Sequence, residues 1–141
     1  MRIAHYDTPE ELAHCYALMC KLRSKLKSKA EFISQVQRQQ KQGYRLSGME
    51  QNGKPVALAG YRLLENFIHG RFCYIDDLVT APAARRQGVG ADLLHNLAVI
   101  VREYGCSQIV LDTAISNTQA QAFYQFSGFS APGLHFYREL N

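Results

Sequence analysis

Asn52-Gly53, set between two apolar runs, commits the middle of this chain to a β-hairpin. A tight two-residue hairpin turn needs positive φ at its central positions, which Asn and Gly adopt most readily. The flanking runs, residues 44–50 and 56–64, read as strands. A second turn near residues 66–70 leads into Phe72-Cys73-Tyr74-Ile75-Asp76-Asp77-Leu78-Val79. Three consecutive strands form an antiparallel meander, and the rest of the chain has to pack against it.

The flanks supply helices. A short strand is expected around residues 2–6. Thr8-Pro9-Glu10-Glu11 then forms a capping box with Pro at the first helical position. Leu12, Tyr16, Met19, Leu22 and Leu26 follow at helical spacing as one core-facing stripe. A second helix is predicted over residues 29–42, with Phe32, Ile33 and Val36 inward and Gly43 as its stop. After the meander, Val89, Leu93, Leu97, Ile100 and Tyr104 mark a long helix ending at Gly105. Ile109-Val110-Leu111 reads as a short strand buried on both faces. Residues 117–127 form another helix, stopped by Gly128, and residues 134–140 alternate as a last strand. The strand–helix–strand unit implies a right-handed crossover and local parallel pairing. The fold class is α/β, a mixed sheet with helices on both faces.

Composition excludes several alternatives. At 141 residues there is room for a single domain over 1–141 with one core. A hydrophobic fraction of 47% and a charged fraction of 20% suit a globular chain. No apolar run approaches the roughly 18 residues of a membrane span, and no signal core opens the chain. Cys15, Cys20, Cys73 and Cys106 form no CxxC pair and no His lies at metal-finger spacing, so free thiols in the cytoplasm and no metal are expected. A net charge of +4 suits an anionic small molecule and does not by itself imply nucleic acid.

The chemistry concentrates in Val79-Thr80-Ala81-Pro82-Ala83-Ala84-Arg85-Arg86-Gln87-Gly88-Val89-Gly90, between a strand and a long helix. Gly88 and Gly90 let a ligand approach the backbone. The amides of Gln87, Gly88, Val89, Gly90 and Ala91 stand at the helix start, where the dipole is positive, and Arg85 and Arg86 add charge. A pyrophosphate fits. No Gly-Lys-Ser/Thr is present, which excludes a Walker loop, and the third glycine of a dinucleotide fingerprint is missing. An ordinary tight turn entering a helix is the competing reading.

Arg85-x-x-Gly88-x-Gly90, with Pro82 three residues earlier, resembles the acetyl-CoA loop of the GCN5-related N-acetyltransferases (GNAT). Asn117, Ala122-Phe123-Tyr124 and Gly128-Phe129 resemble that family's second signature, in the right order. The resemblance covers roughly residues 44–140 in element order. It implies a mostly antiparallel GNAT sheet in which the strand ending at Val79 splays from a parallel strand at 109–112. It also implies that the pantetheine arm pairs with backbone near Leu78, Val79 and Thr80, with acetyl-CoA as co-substrate. The implied reaction is direct attack of a small-molecule or protein amine within a ternary complex.

That reaction needs a base for the amine and a proton for the departing thiolate. By resemblance Tyr124 is the acid, although it also suits a core position beside Phe123 and Phe126. Asp76, Asp77 and His135 are the candidate bases, in that order, because Asp76, nine residues before Arg85, better resembles the acidic position of some polyamine-acetylating members of the family. Asp76 and Asp77 are adjacent and on a regular strand would point to opposite faces, so one of them would reach the cleft. His135 lies on the expected last strand, and imidazole is a common general base. Asn117 reads as a helix N-cap, a cofactor contact or both. Lys21, Arg23, Lys25, Lys27 and Lys29 read first as a solvated face, and alternatively as a lure for an acidic acceptor or for the nucleotide. A non-catalytic acetyl-CoA sensor is the rival function. No nucleic-acid or membrane partner is expected, and a homodimer is left open.

Overall fold

The computed structural model describes residues 2–141. The chain divides into two compact units, residues 1–110 and 111–141. A sheet runs in the order β1 (Ile3–Tyr6), β2 (Arg45–Gln51), β3 (Lys54–Asn66), β4 (Gly70–Thr80) and β5 (Gln108–Leu111). Pairing is antiparallel from β1 to β4, and β4 and β5 are parallel. The meander follows from local chemistry. Asn52 and Gly53 both take positive φ, 53° and 76°, as the two-residue turn requires. At the next turn the Asn66 side chain accepts from the amides of Ile68 and His69, and Gly70 reverses the chain at φ 66°.

The first helix is broken, which corrects the single stripe expected over residues 12–26. α1 (Pro9–Ala13) starts from the capping box on Thr8, as read. The Cys15 amide then bonds back three residues to Leu12, turning the chain, and α2 (Tyr16–Leu22) restarts without a side-chain cap. The break rotates the buried set to Leu12, Cys15, Leu18 and Met19, while Tyr16, Leu22 and Leu26 pack at its margin. α3 (Lys29–Gln40) starts from the side-chain cap of Ser28 and buries Phe32 and Val36.

Helices cover both faces of the sheet. Leu46, Leu58 and Val79 share one core with the three N-terminal helices. The alternate residues look the other way, towards α4 (Val89–Glu103), where the Arg45 guanidinium lies 4.8 Å from the centroid of Tyr104. α4 buries Val89, Leu93 and Leu97 of the expected stripe together with Leu94 and Val101, whereas Ile100 is half-buried and Tyr104 is exposed. β5 is half-buried rather than buried on both faces, because it lies last in the sheet order with a neighbour on one side.

In the second unit, α5 (Thr118–Phe126) begins at Asn117, whose side chain accepts from the Ala120 amide at 3.1 Å. No residue from 111 to 141 is buried. The expected strand over 134–140 is absent. Its alternating residues Leu134, Phe136 and Leu140 are exposed, and alternation makes a strand only where a ladder partner takes up the backbone groups. Phe126 is 90% exposed, so it does not supply the core stripe expected beside Phe123.

Candidate functional site

β4 is irregular at the residues that matter most. Against β3, Asp77 pairs with Gly60 and Ile75 with Tyr61, so Asp76 is an extra residue on β4. A bulge of this kind breaks the two-residue alternation. Gly60 and Arg62 lie on the face of β3 that meets the N-terminal helices, since Gly60 pairs with Leu46 of that core. Asp77 sits opposite Gly60 on this face, and Asp76 reaches Arg62 of the same face. Both carboxylates therefore project to one side. This corrects the expectation of opposite faces, and the extra residue is the physical reason.

Each carboxylate is tied at both oxygens. Arg62 holds Asp76 through two parallel bonds of 2.8 Å, the bidentate geometry that guanidinium and carboxylate favour. Asp77 accepts from Arg23 Nε at 2.9 Å on Oδ1 and from the Tyr44 hydroxyl at 2.7 Å on Oδ2. Arg23 also donates through Nη2 to the Asp76 carbonyl at 2.9 Å. Tyr44 is buried, and burial followed by the Asp77 and Asp76 charges keeps its phenol well above the usual range. It stays a donor to Asp77. Its hydroxyl lies over Gly60, where any Cβ would collide with it. A cavity of about 370 Å³ opens beside Asp77, lined also by Arg23, Lys25, Glu31, Phe32 and Val36.

Beyond Thr80 the backbone takes over. The Ala81 amide bonds Val56 at 2.7 Å, and a single 3₁₀ turn (Pro82–Ala84) buries Ala84. Arg86 and Gly88 then both adopt left-handed φ, 68° and 76°. The Gln87 side chain braces the loop on the Ala83 carbonyl at 3.0 Å. The first bond of α4 runs from Asp92 to Gly88 at 2.9 Å, so the amides of Val89, Gly90 and Ala91 precede the helical ladder. A Cβ at Gly88 would meet nothing within 4 Å, so the space beside this turn is open, and Arg85 and Arg86 are exposed. Open backbone, unladdered amides, a helix dipole and two cations fit the pyrophosphate of a nucleotide cofactor.

In the second unit, the Tyr124 ring packs 5.5 Å from Phe123 and 5.8 Å from Phe129, centroid to centroid. Burial raises its phenol above 10.0. Asn117 performs the N-cap role. His135 Nδ1 is 3.4 Å from Asp112 Oδ2, and both side chains are substantially exposed.

Sequence reasoning missed Arg23, Tyr44 and Arg62, and nothing local identifies them. Arg23 belongs to a run that reads as a solvated basic face; it and Lys21, Lys25, Lys27 and Lys29 are exposed, but Arg23 also bonds to Asp77. Among the described residues, no cluster suits a metal ion and no helix is long and apolar enough to cross a membrane. All four cysteines are free, with Cys15, Cys73 and Cys106 buried.

Comparison with known proteins adds lineage to this geometry. The profile of the acetyltransferase (GNAT) family matches residues 10–129. An aminoglycoside N(6')-acetyltransferase type 1 of Serratia marcescens is 30% identical over 83 residues, 56% of this chain and 57% of that one. A thialysine N-ε-acetyltransferase of Mus musculus is 30% identical over 81 residues, 57% of this chain and 48% of that one. The chain thus spans about half the length of these curated relatives. A Trypanosoma brucei acetyltransferase structure superposes with a TM-score of 0.78 at 22% identity, covering 99% of each chain, which shows the shared fold.

Proposed function

This chain belongs to the acetyltransferase (GNAT) family, and on that premise we propose that it transfers an acetyl group from acetyl-CoA to an amine by direct attack in a ternary complex. The carrying observation is the Arg85–Gly90 loop, with its two left-handed residues, open approach and unladdered amides. Arg85, Arg86, Gln87, Gly88, Val89, Gly90 and Ala91 would hold the pyrophosphate, and backbone at Leu78, Val79 and Thr80 the pantetheine arm. Bound there, the cofactor supplies an activated acyl group on sulfur. The amine nitrogen forms the new bond to the acyl carbon, the carbon–sulfur bond breaks with its electron pair on sulfur, and the amine loses a proton.

The chain's residues manage the protons. An alkyl amine titrates near 10.4, so few molecules are neutral at pH 7. Asp77, which lines the cavity, is the better-placed carboxylate to receive the ammonium and pass its proton to water. Asp76 serves by fixing the bulge, since Arg62 holds it bidentately and it does not line that cavity. Tyr124 is assigned as the acid towards sulfur, with Asn117 capping its helix and bordering the cofactor. The raised phenol keeps Tyr124 protonated at neutral pH, as a donor must be. His135 pairs with Asp112 and is assigned no catalytic step.

The family match runs across both compact units, which supports a single catalytic domain over 1–141. Free cysteines support a reducing compartment such as the cytoplasm. The exposed apolar residues of 134–140 support a homodimer. The relatives named above act on an antibiotic amine and on an amino-acid amine, so a small-molecule acceptor is favoured over a protein.

A thermal-shift titration with acetyl-CoA, controlled by acetate and pyrophosphate, tests the reading. At about 100 times Kd the ligand adds about 2.7 kcal/mol of stability; a folded protein with no shift sinks it. Tyr124→Phe should then retain the shift while kcat falls about 100-fold. The alkaline limb of the wild-type rate should lie above pH 10, because the raised phenol loses its proton later than a free one.

A further inference from the structure

We propose that the acceptor is a small zwitterionic amine, one carrying a carboxylate close to its amine, bound in the cavity beside Asp77. This rests on the acetyltransferase reading above and specifies its substrate class. The cavity is about 370 Å³, near the small end of ligand sites, which suits an amino acid or dipeptide better than an oligosaccharide. Its lining is charge-balanced: Arg23 and Lys25 against Asp77 and Glu31, over an apolar floor including Phe32 and Val36.

Balance of this kind selects by charge pattern. A polycation would find Asp77 and Glu31 but would bring its surplus charge against Arg23 and Lys25. A dianion would meet the reverse. An ammonium with a carboxylate satisfies both sets.

The geometry of Arg23 supports this division of labour. Its Nε and Nη2 are spent on Asp77 and on the Asp76 carbonyl, which leaves the two Nη1 hydrogens outside these contacts. The Arg23 side chain is 52% exposed and Lys25 is exposed, so a carboxylate can reach both. Arg23 can thus hold Asp77 on one edge and the acceptor carboxylate on the other. Asp77 stands three residues before Thr80, about 10 Å along an extended strand. An amine on Asp77 is therefore positioned just upstream of the backbone assigned to the pantetheine arm, with its carboxylate directed away towards Lys25.

The test compares acceptors that differ in the carboxylate alone, by thiol release from acetyl-CoA with the full chain. L-Lysine is set against L-lysinamide and cadaverine, and L-threonine against L-threoninamide. At least one carboxylated member should exceed its partners in kcat/KM by about tenfold, the worth of one charged hydrogen bond. Arg23→Gln should abolish that preference mainly through KM, the free acids losing about tenfold more than the amides lose through the weakened hold on Asp77, and Lys25→Ala should reduce the preference less. The acetyl-CoA thermal shift is read beside every assay. A normal shift with amides and cadaverine turned over as well as, or better than, the free acids overturns the zwitterion proposal and leaves the acetyltransferase reading standing. So does a normal shift with no carboxylated amine consumed. Loss of the shift in the wild type overturns the acetyltransferase reading itself.

Discussion

β4 and the loop after it carry the two stretches to which the proposed site is assigned, and these are held in opposite ways. Upstream, Asp76 and Asp77 are fixed by side chains 14 to 54 residues away, from β3, from the residue preceding β2 and from the end of α2. Downstream, residues 81–88 are fixed chiefly by their own neighbours, through bonds spanning three or four residues and two left-handed φ angles. The first stretch depends on packing and paired charge, so it fails when a distant partner is lost. The second depends on backbone conformation, so it fails when φ is denied. Substitutions chemically alike should therefore act very differently at the two places.

Gly60→Ala should be the most damaging. The new methyl group collides with the Tyr44 hydroxyl, which is buried and bonded to Asp77. Overpacking at an inflexible buried contact costs about 3 kcal/mol. Urea denaturation measures it, and a variant as stable as wild type would show that Tyr44 does not lie over Gly60. Asp76→Asn comes next, at about 2 kcal/mol, because Arg62 is left as a half-buried cation without its bidentate partner. Adding Arg62→Leu should recover part of that loss. A double-mutant coupling below about 0.3 kcal/mol would reduce the pair to an ordinary surface contact and erase the upstream half of the contrast.

The same contrast decides what could be read from sequence. The loop was legible because its determinants are contiguous: Pro82 starts a turn, Gly88 takes the left-handed angle, and Val89 begins an apolar stripe. The Asn52-Gly53 hairpin and the Thr8 and Asn117 caps were legible for the same reason. The bulge was not. Adjacent aspartates on a strand point to opposite faces unless a register shift intervenes, and this shift is a property of the pairing of β3 with β4 that neither strand's own sequence spells out. Arg23 likewise looked like one cation among five, and only the break and early end of the N-terminal helix bring it to Asp77. Residues 134–140 show the converse failure, since their alternation is plain while the strand needs a partner that local sequence does not name.

Gly88→Ala offers the downstream counterpart of Gly60→Ala. A methyl group there meets nothing within 4 Å, so the whole cost is the left-handed φ of 76°, about 1 kcal/mol of stability. Binding should suffer more than folding, because relaxing φ re-aims the amides at the start of α4. Calorimetry with acetyl-CoA would show a loss of about tenfold or more in affinity beside a small change in melting. A stability loss as large as that of Gly60→Ala would mean the loop is packed rather than open.

Arg86→Gly should give the smallest change in stability and the sharpest division between the two stretches. Arg86 holds φ 68° without being glycine, so the substitution relieves backbone strain. It also frees the unfolded chain, and the two effects offset one another to within about 0.5 kcal/mol. Melting should therefore barely move. Affinity for acetyl-CoA should still fall, by about tenfold at low salt, and the fall should shrink as salt rises because an exposed cation acts through a screened field. Equal affinity for wild type and variant at every salt concentration would leave Arg86 a merely solvated charge. The anion site would then rest on Arg85 and the helix amides alone, a loop built by backbone with one cation instead of two.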